Sequence, residues 1–156
     1  MSGATPASIT NQKLDSARRF LRQSQEGEES WLGVGLESAA IFHLRSALNG
    51  LLQEVSLAYH LSSSTSVEDL FCDAKNKGVI VPVLSELRDL SLASRSWLNQ
   101  LEQAYLVQFE CRPSMFVKAN DGELIGRGND AGASVNLFLA NLTELVLRFR
   151  EESSEY

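Results

Sequence analysis

The chain has 156 residues, 44% of them hydrophobic and 22% charged, with a net charge of −6. That balance describes one globular domain with apolar material for a single core, and its acidity argues against general affinity for DNA or RNA. There is no run of about eighteen apolar residues to span a membrane, and the opening MSGATPASIT lacks the charged-then-apolar order of a secretion signal.

In chain order, residues 1–9 read as a tail and 10–156 as one helical domain. A first helix is expected from Thr10, a cap candidate, to about Gln25, with Leu14, Ala17 and Leu21 on one face. Its other face carries Lys13, Arg18, Arg19 and Arg22, which read as solvated or paired with Glu26, Glu28 and Glu29 rather than as a nucleic-acid or lipid contact. A second, longer helix is expected from Ser30 to Leu61, with an apolar arc from Leu36 to Tyr59 and with Arg45, Asn49 and Gln53 opposite. SSSTS ends it. A short third helix follows Ser66, with Asp69 three residues on in a capping-box arrangement and Gly78 as a C-terminal stop.

Pro82 suits the first turn of a fourth helix, expected to run to Glu110 with Leu87, Leu90, Ser94, Trp97, Leu98, Leu101, Ala104 and Tyr105 on its stripe. Pro113 forbids its continuation. A last helix is expected over about 131–152, with Val135, Phe138, Leu142, Leu145 and Phe149 at helical period. The fold class that follows is all-α: an antiparallel bundle of four or five helices. Between the last two helices lies FVKANDGELIGRGNDAG. Its Asn120-Asp121-Gly122 between short β-prone runs predicts a small hairpin or ordered loop.

That loop does not read as a ligand site. Its glycines fit neither GxxxxGK nor GxGxxG, and Ala119 and Val117 stand where a calcium loop needs oxygen ligands. No Glu-x-x-His occurs, and two His and two Cys at scattered positions make no zinc pattern. The sequence therefore implies no cofactor and no metal. Cys72 and Cys111 read as reduced, partly buried thiols of a cytoplasmic protein.

His43 falls on the edge of the second helix's apolar arc. Glu54 shares that edge about 16 Å along the axis, too far to act with it, so a structural histidine is the expectation. His60, at the helix end, reads as exposed and favourable to the dipole there. Cys111 beside Arg112 lacks a histidine partner for nucleophilic work. Trp97, on an apolar stripe, is expected to pack in the core rather than meet a ligand. The fourth helix carries Leu84, Leu92, Leu106 and Val107 off its stripe, and the last carries Leu137 and Leu147. Such surplus marks either a central helix or a face that meets another protein, a second copy of the chain being the favoured partner.

The segments IFHLRSALNGLLQEVSLAY (41–59), VEDLF, LSELRDLSLASRSWLNQL (84–101) and the closing RFREESSEY (148–156) resemble a family of small bacterial proteins known only as a domain of unknown function. The likeness covers about residues 10–156, with Ser96-Trp97-Leu98 and the Arg-Glu-aromatic ending as its most particular marks. It implies an all-helical cytoplasmic protein and carries no functional residue with it. The leading expectation is a non-enzymatic interaction or adaptor module, with His43, Arg45, Arg95 and Trp97 as the residues to watch. Its rivals are a degenerate HEPN-like enzyme acting on nucleic acid through His43 with Arg45 and Arg95, although the HEPN spacing of Arg and His is missing, and a binder of a small apolar ligand beside Trp97.

Overall fold

The computed structural model describes residues 3–26, 30–113 and 127–154. Among these the chain is all-α, with six helices: α1 (Pro6–Glu26), α2 (Ser30–Ala58), α3 (Val67–Asn76), α4 (Pro82–Leu92), α5 (Trp97–Phe109) and α6 (Arg127–Ser154). Most of the hairpin expected around Asp121-Gly122 lies outside the described residues.

α1 begins four residues earlier than Thr10. Thr5 is the residue that caps it: Ser8 N donates to Thr5 Oγ1 at 3.1 Å, and Thr5 N donates to Ser8 Oγ at 3.0 Å. This is a capping box with serine in the third position, and Pro6 occupies the first helical position where no N–H is missed. Thr10 instead sits a turn inside the helix, wholly buried, its hydroxyl donating to Pro6 O at 2.9 Å.

α1 and α2 lie against each other in opposite directions, as the neighbours Thr10–Gly50, Phe20–His43 and Ser24–Gly33 show. Small residues let the two backbones approach. Ala17, Ala40 and Ala47 are at most 1% exposed, and a Cβ on Gly50 would collide with Thr10 Oγ1 and reach to 3.2 Å of Thr10 Cβ. Leu44, Leu51, Leu52 and Val55 of α2 then form the centre of the core with Leu70, Leu84, Leu87, Leu101, Leu142 and Leu145 from the later helices. Leu84, read from the sequence as surplus, is one of these core residues, 1% exposed. The stripe expected for the last helix is buried at Val135, Phe138, Leu142, Leu145 and Phe149.

The single fourth helix expected over 82–110 is two helices with an elbow at 93–96. Serine and asparagine make the elbow. Ser96 Oγ accepts from Asn99 N and donates to Leu90 O, while the Asn99 amide donates to Ser91 O at 2.9 Å and Ala93 O at 2.7 Å. Side chains of this kind offer the backbone an alternative to helix. Ser66 caps α3, its Oγ accepting from Asp69 N, but Ser66 N donates to Ser64 Oγ at 3.0 Å in place of the Asp69 side chain expected for a capping box; Gly78 closes the helix with φ of 70°.

One ionic cluster joins three helices. Arg150 of α6 donates to both oxygens of Glu54 on α2, at 2.9 and 3.3 Å, and also to Asn11 Oδ1 and Ala7 O of α1. The Glu54 side chain is only 7% exposed. Removing the arginine alone strands a buried carboxylate, so Arg150→Ala is expected to cost about 3 kcal/mol in denaturant unfolding, while the double change Glu54→Leu with Arg150→Met recovers most of it. Gly50→Ala is expected to lower stability by about 1–3 kcal/mol in the same measurement, because the new methyl meets the Thr10 backbone and side chain together.

Candidate functional site

α2 presents different chemistry on different sides, since each residue turns the helix by about 100°. His43 and Arg45 therefore point to nearly opposite flanks. On the α1 flank, His43 stacks on Phe20 (centroids 5.3 Å apart, 16° between planes) and meets the edge of Phe42 at 5.4 Å. Its Nδ1 is buried without a hydrogen-bond partner among the described residues. Burial, and then the nearby Lys13 ammonium, hold its pKa below the ordinary 6.5. This is a histidine packed among aromatics. It does not touch Arg45 or Arg95; Arg95 lies exposed in the elbow.

On the α5 flank, Arg45 donates through Nε to Glu102 Oε2 and through Nη1 to Asn49 Oδ1, each at 2.6 Å. This pair forms one wall of a cleft of about 310 Å3 between α2 and the α3–α4–α5 segment. Leu48, Leu52 and Leu98 make its apolar floor. The facing wall holds Arg88, whose Nε donates to Glu68 Oε2 at 3.0 Å and whose guanidinium lies 4.5 Å from the Phe71 ring centroid. No histidine or cysteine lines this cleft. Its serines serve the backbone: Ser91 Oγ donates to Leu87 O, and Ser66 Oγ takes the Asp69 N–H.

A third feature is apolar. Trp31, Val34, Ser38 and Phe42 fall on one side of α2, and Phe42 lies 6.5 Å from Tyr105, which stacks on Phe109 at 5.8 Å. The neighbours Arg45–Glu102 and Phe42–Tyr105 show that α5 runs against α2, so α5 ends near the level of Ser38 and leaves Trp31 and Val34 uncovered. Trp31 and Phe109 are each 72% exposed, Val34 67% and Phe42 49%. The sequence placed its surplus on the fourth and last helices, where Leu92, Leu137 and Leu147 are indeed exposed. The aromatic strip went unread because Trp31 and Val34 precede the apolar arc, and the end of α5 that leaves them open is set by tertiary packing.

Trp97, the first residue of α5, is partly buried against the core. Both cysteines are exposed rather than partly buried, and Cys111 takes φ of 54° just beyond α5. His60 is exposed with φ of 55°, and its carbonyl accepts from Lys77 Nζ at 2.7 Å. On the basic face of α1, Arg18 and Arg19 both reach Asp15 of the same helix rather than Glu26, and Lys13 Nζ lies 5.8 Å from the Phe42 ring centroid on α2. Among the described residues no group of three His, Cys, Asp or Glu side chains is placed to hold a metal ion, and no helix is long and apolar enough to cross a membrane.

A family model matches residues 1–156. The chain belongs to DUF6586, a family of unknown function. Curated proteins and solved structures gave no match. For this member of DUF6586, then, the side chains themselves carry the functional argument.

The lowered pKa of His43 makes stability depend on pH. The folded chain binds the proton less readily than the unfolded one, so His43 favours unfolding as pH falls through about 6.5. Denaturant midpoints at pH 7.5 and 5 are expected to differ less for His43→Phe than for the natural chain.

Proposed function

We propose that this protein is a non-enzymatic interaction module that docks through the strip of Trp31, Val34, Phe42 and Phe109, with a second copy of the chain as the partner. The observation that supports it is the exposure of those four side chains on one continuous side of α2 and α5. They leave on the order of 500 Å2 of apolar surface open, aromatic side chains carrying about 150–250 Å2 each. A standard interface takes about 800 Å2 from each partner, of which roughly 60% is apolar, so the strip is of the size such a contact uses.

The spacing along α2 favours self-association. Large residues stand at both ends, Trp31 and Phe42, and Gly35 and Ser38 lie between them, with no atom within 4 Å of where a Gly35 Cβ would stand. Two such helices crossing in opposite directions set the tryptophan of each against the Phe42 of the other, with the small residues at the crossing. This is the self-complementary contact that two-fold symmetry requires. Two exposed cysteines, Cys72 and Cys111, neither in a disulfide, fit a reducing, cytoplasmic setting.

Light scattering after size exclusion, at tens of micromolar, is expected to give twice the chain mass, and Trp31→Asp to return it to the single-chain mass with helicity unchanged. A natural chain that stays monomeric at that concentration removes the self-association reading.

A further inference from the structure

The cleft between α2 and the α3–α4–α5 segment shares no lining residue with the strip and begins at Arg45, beyond Phe42 on α2. Its volume of about 310 Å3 is in the range of small-molecule sites. Its composition is specific. The bottom is aliphatic, where Leu48 and Leu98 show the last 3–4% of their surface above the wholly buried Leu52, and Leu92 supplies the open apolar surface at 71% exposure. The two walls each carry a guanidinium held in place by a carboxylate.

In both walls the carboxylate takes only Nε. Arg45 spends Nη1 on Asn49, and Arg88 spends none of its terminal nitrogens on a protein acceptor among the described residues. Each arginine therefore lines the cleft with N–H donors in hand and with its position already fixed. A planar guanidinium with free terminal N–H groups is matched by a carboxylate, which accepts two parallel hydrogen bonds. Because Glu68 and Glu102 neutralise the two arginines, the cleft offers an anion directed N–H groups and no net positive charge, which disfavours a multiply charged phosphate more than a singly charged head. The aliphatic floor, in turn, has no partner in a small hydrated anion and asks for hydrocarbon.

We propose that this cleft binds a small amphipathic monocarboxylate, its head on the free edges of Arg88 and Arg45 and its aliphatic tail on Leu92 and the open edges of Leu48 and Leu98. The site is independent of the aromatic strip and of self-association.

Sodium octanoate is the probe, added to the full chain while leucine methyl resonances are followed by NMR, with acetate, inorganic phosphate and octan-1-ol as controls. Octanoate is expected to shift the Leu48, Leu92 and Leu98 methyls saturably, and each control to bind at least tenfold more weakly. Arg88→Gln is expected to weaken octanoate at least tenfold with helicity unchanged. Arg88→Lys, which keeps the charge and loses the fork, is a second variant expected to weaken it by a smaller factor. No shift of those methyls by about 10 mM octanoate overturns the proposal. So does octanol binding as tightly as octanoate, which means the head is not read, or acetate or phosphate doing so, which means the tail is not read. Undiminished binding by both Arg88 variants overturns it as well.

Discussion

The contact on which the rest depends is the pair between Arg150 and Glu54. A carboxylate that is 7% exposed needs a cation, and the one it has arrives from almost the far end of the chain. The same guanidinium takes Ala7 O and Asn11 Oδ1, so the N-terminal turn of α1, the C-terminal half of α2 and the end of α6 are fixed together at one point. Nearby, the Thr10–Gly50 approach sets how close α1 and α2 stand. Between them these contacts decide the rotation of α2 about its axis. That rotation in turn decides what each flank of α2 presents: His43 to aromatics, Arg45 to a cleft, and Trp31 and Phe42 to solvent.

The separation of flanks bears directly on function. A histidine, an arginine and an exposed aromatic cluster on one helix look in sequence like the parts of one site. In the fold they are three environments. Burial keeps His43 toward its neutral form among aromatic neighbours, and its Nδ1 has no hydrogen-bond partner among the described residues. Arg45 is anchored and Phe42 is open. The surfaces that remain among the described residues are an aromatic strip and a small charged-rim cleft.

Much of the fold was legible in the sequence because helical period is a strong signal where apolar residues are dense. The face of α6 was readable from Val135 to Phe149, and α3 was readable from Ser66 and Gly78, because caps and terminal glycines act locally. The errors fall where a local rule had a competitor. Thr10 looked like a cap, but Thr5 and Ser8 cap better, with Pro6 between them. The elbow at 93–96 was hidden because Leu90, Trp97 and Leu101 keep helical period across it, and only Ser96 and Asn99 betray the break. Leu84 looked surplus on a straight helix and is core on a bent one. The cleft could not have been read at all: Arg45, Arg88 and their carboxylates come from four helices, and sequence spacing carries no information about that meeting. The expected hairpin around Gly122 lies mostly outside the described residues.

The elbow has a further consequence. Its cap belongs to α5, through Ser96 and Asn99, yet the carbonyls that this cap satisfies, of Leu90, Ser91 and Ala93, belong to the end of α4 and the turn. Neither half-helix can fray at this joint without exposing the other's polar groups. The two short rods, each too brief to be a persistent helix in water alone, thereby open and close as a single cooperative element, and the bend angle between them is held by two side chains in place of a proline or glycine hinge.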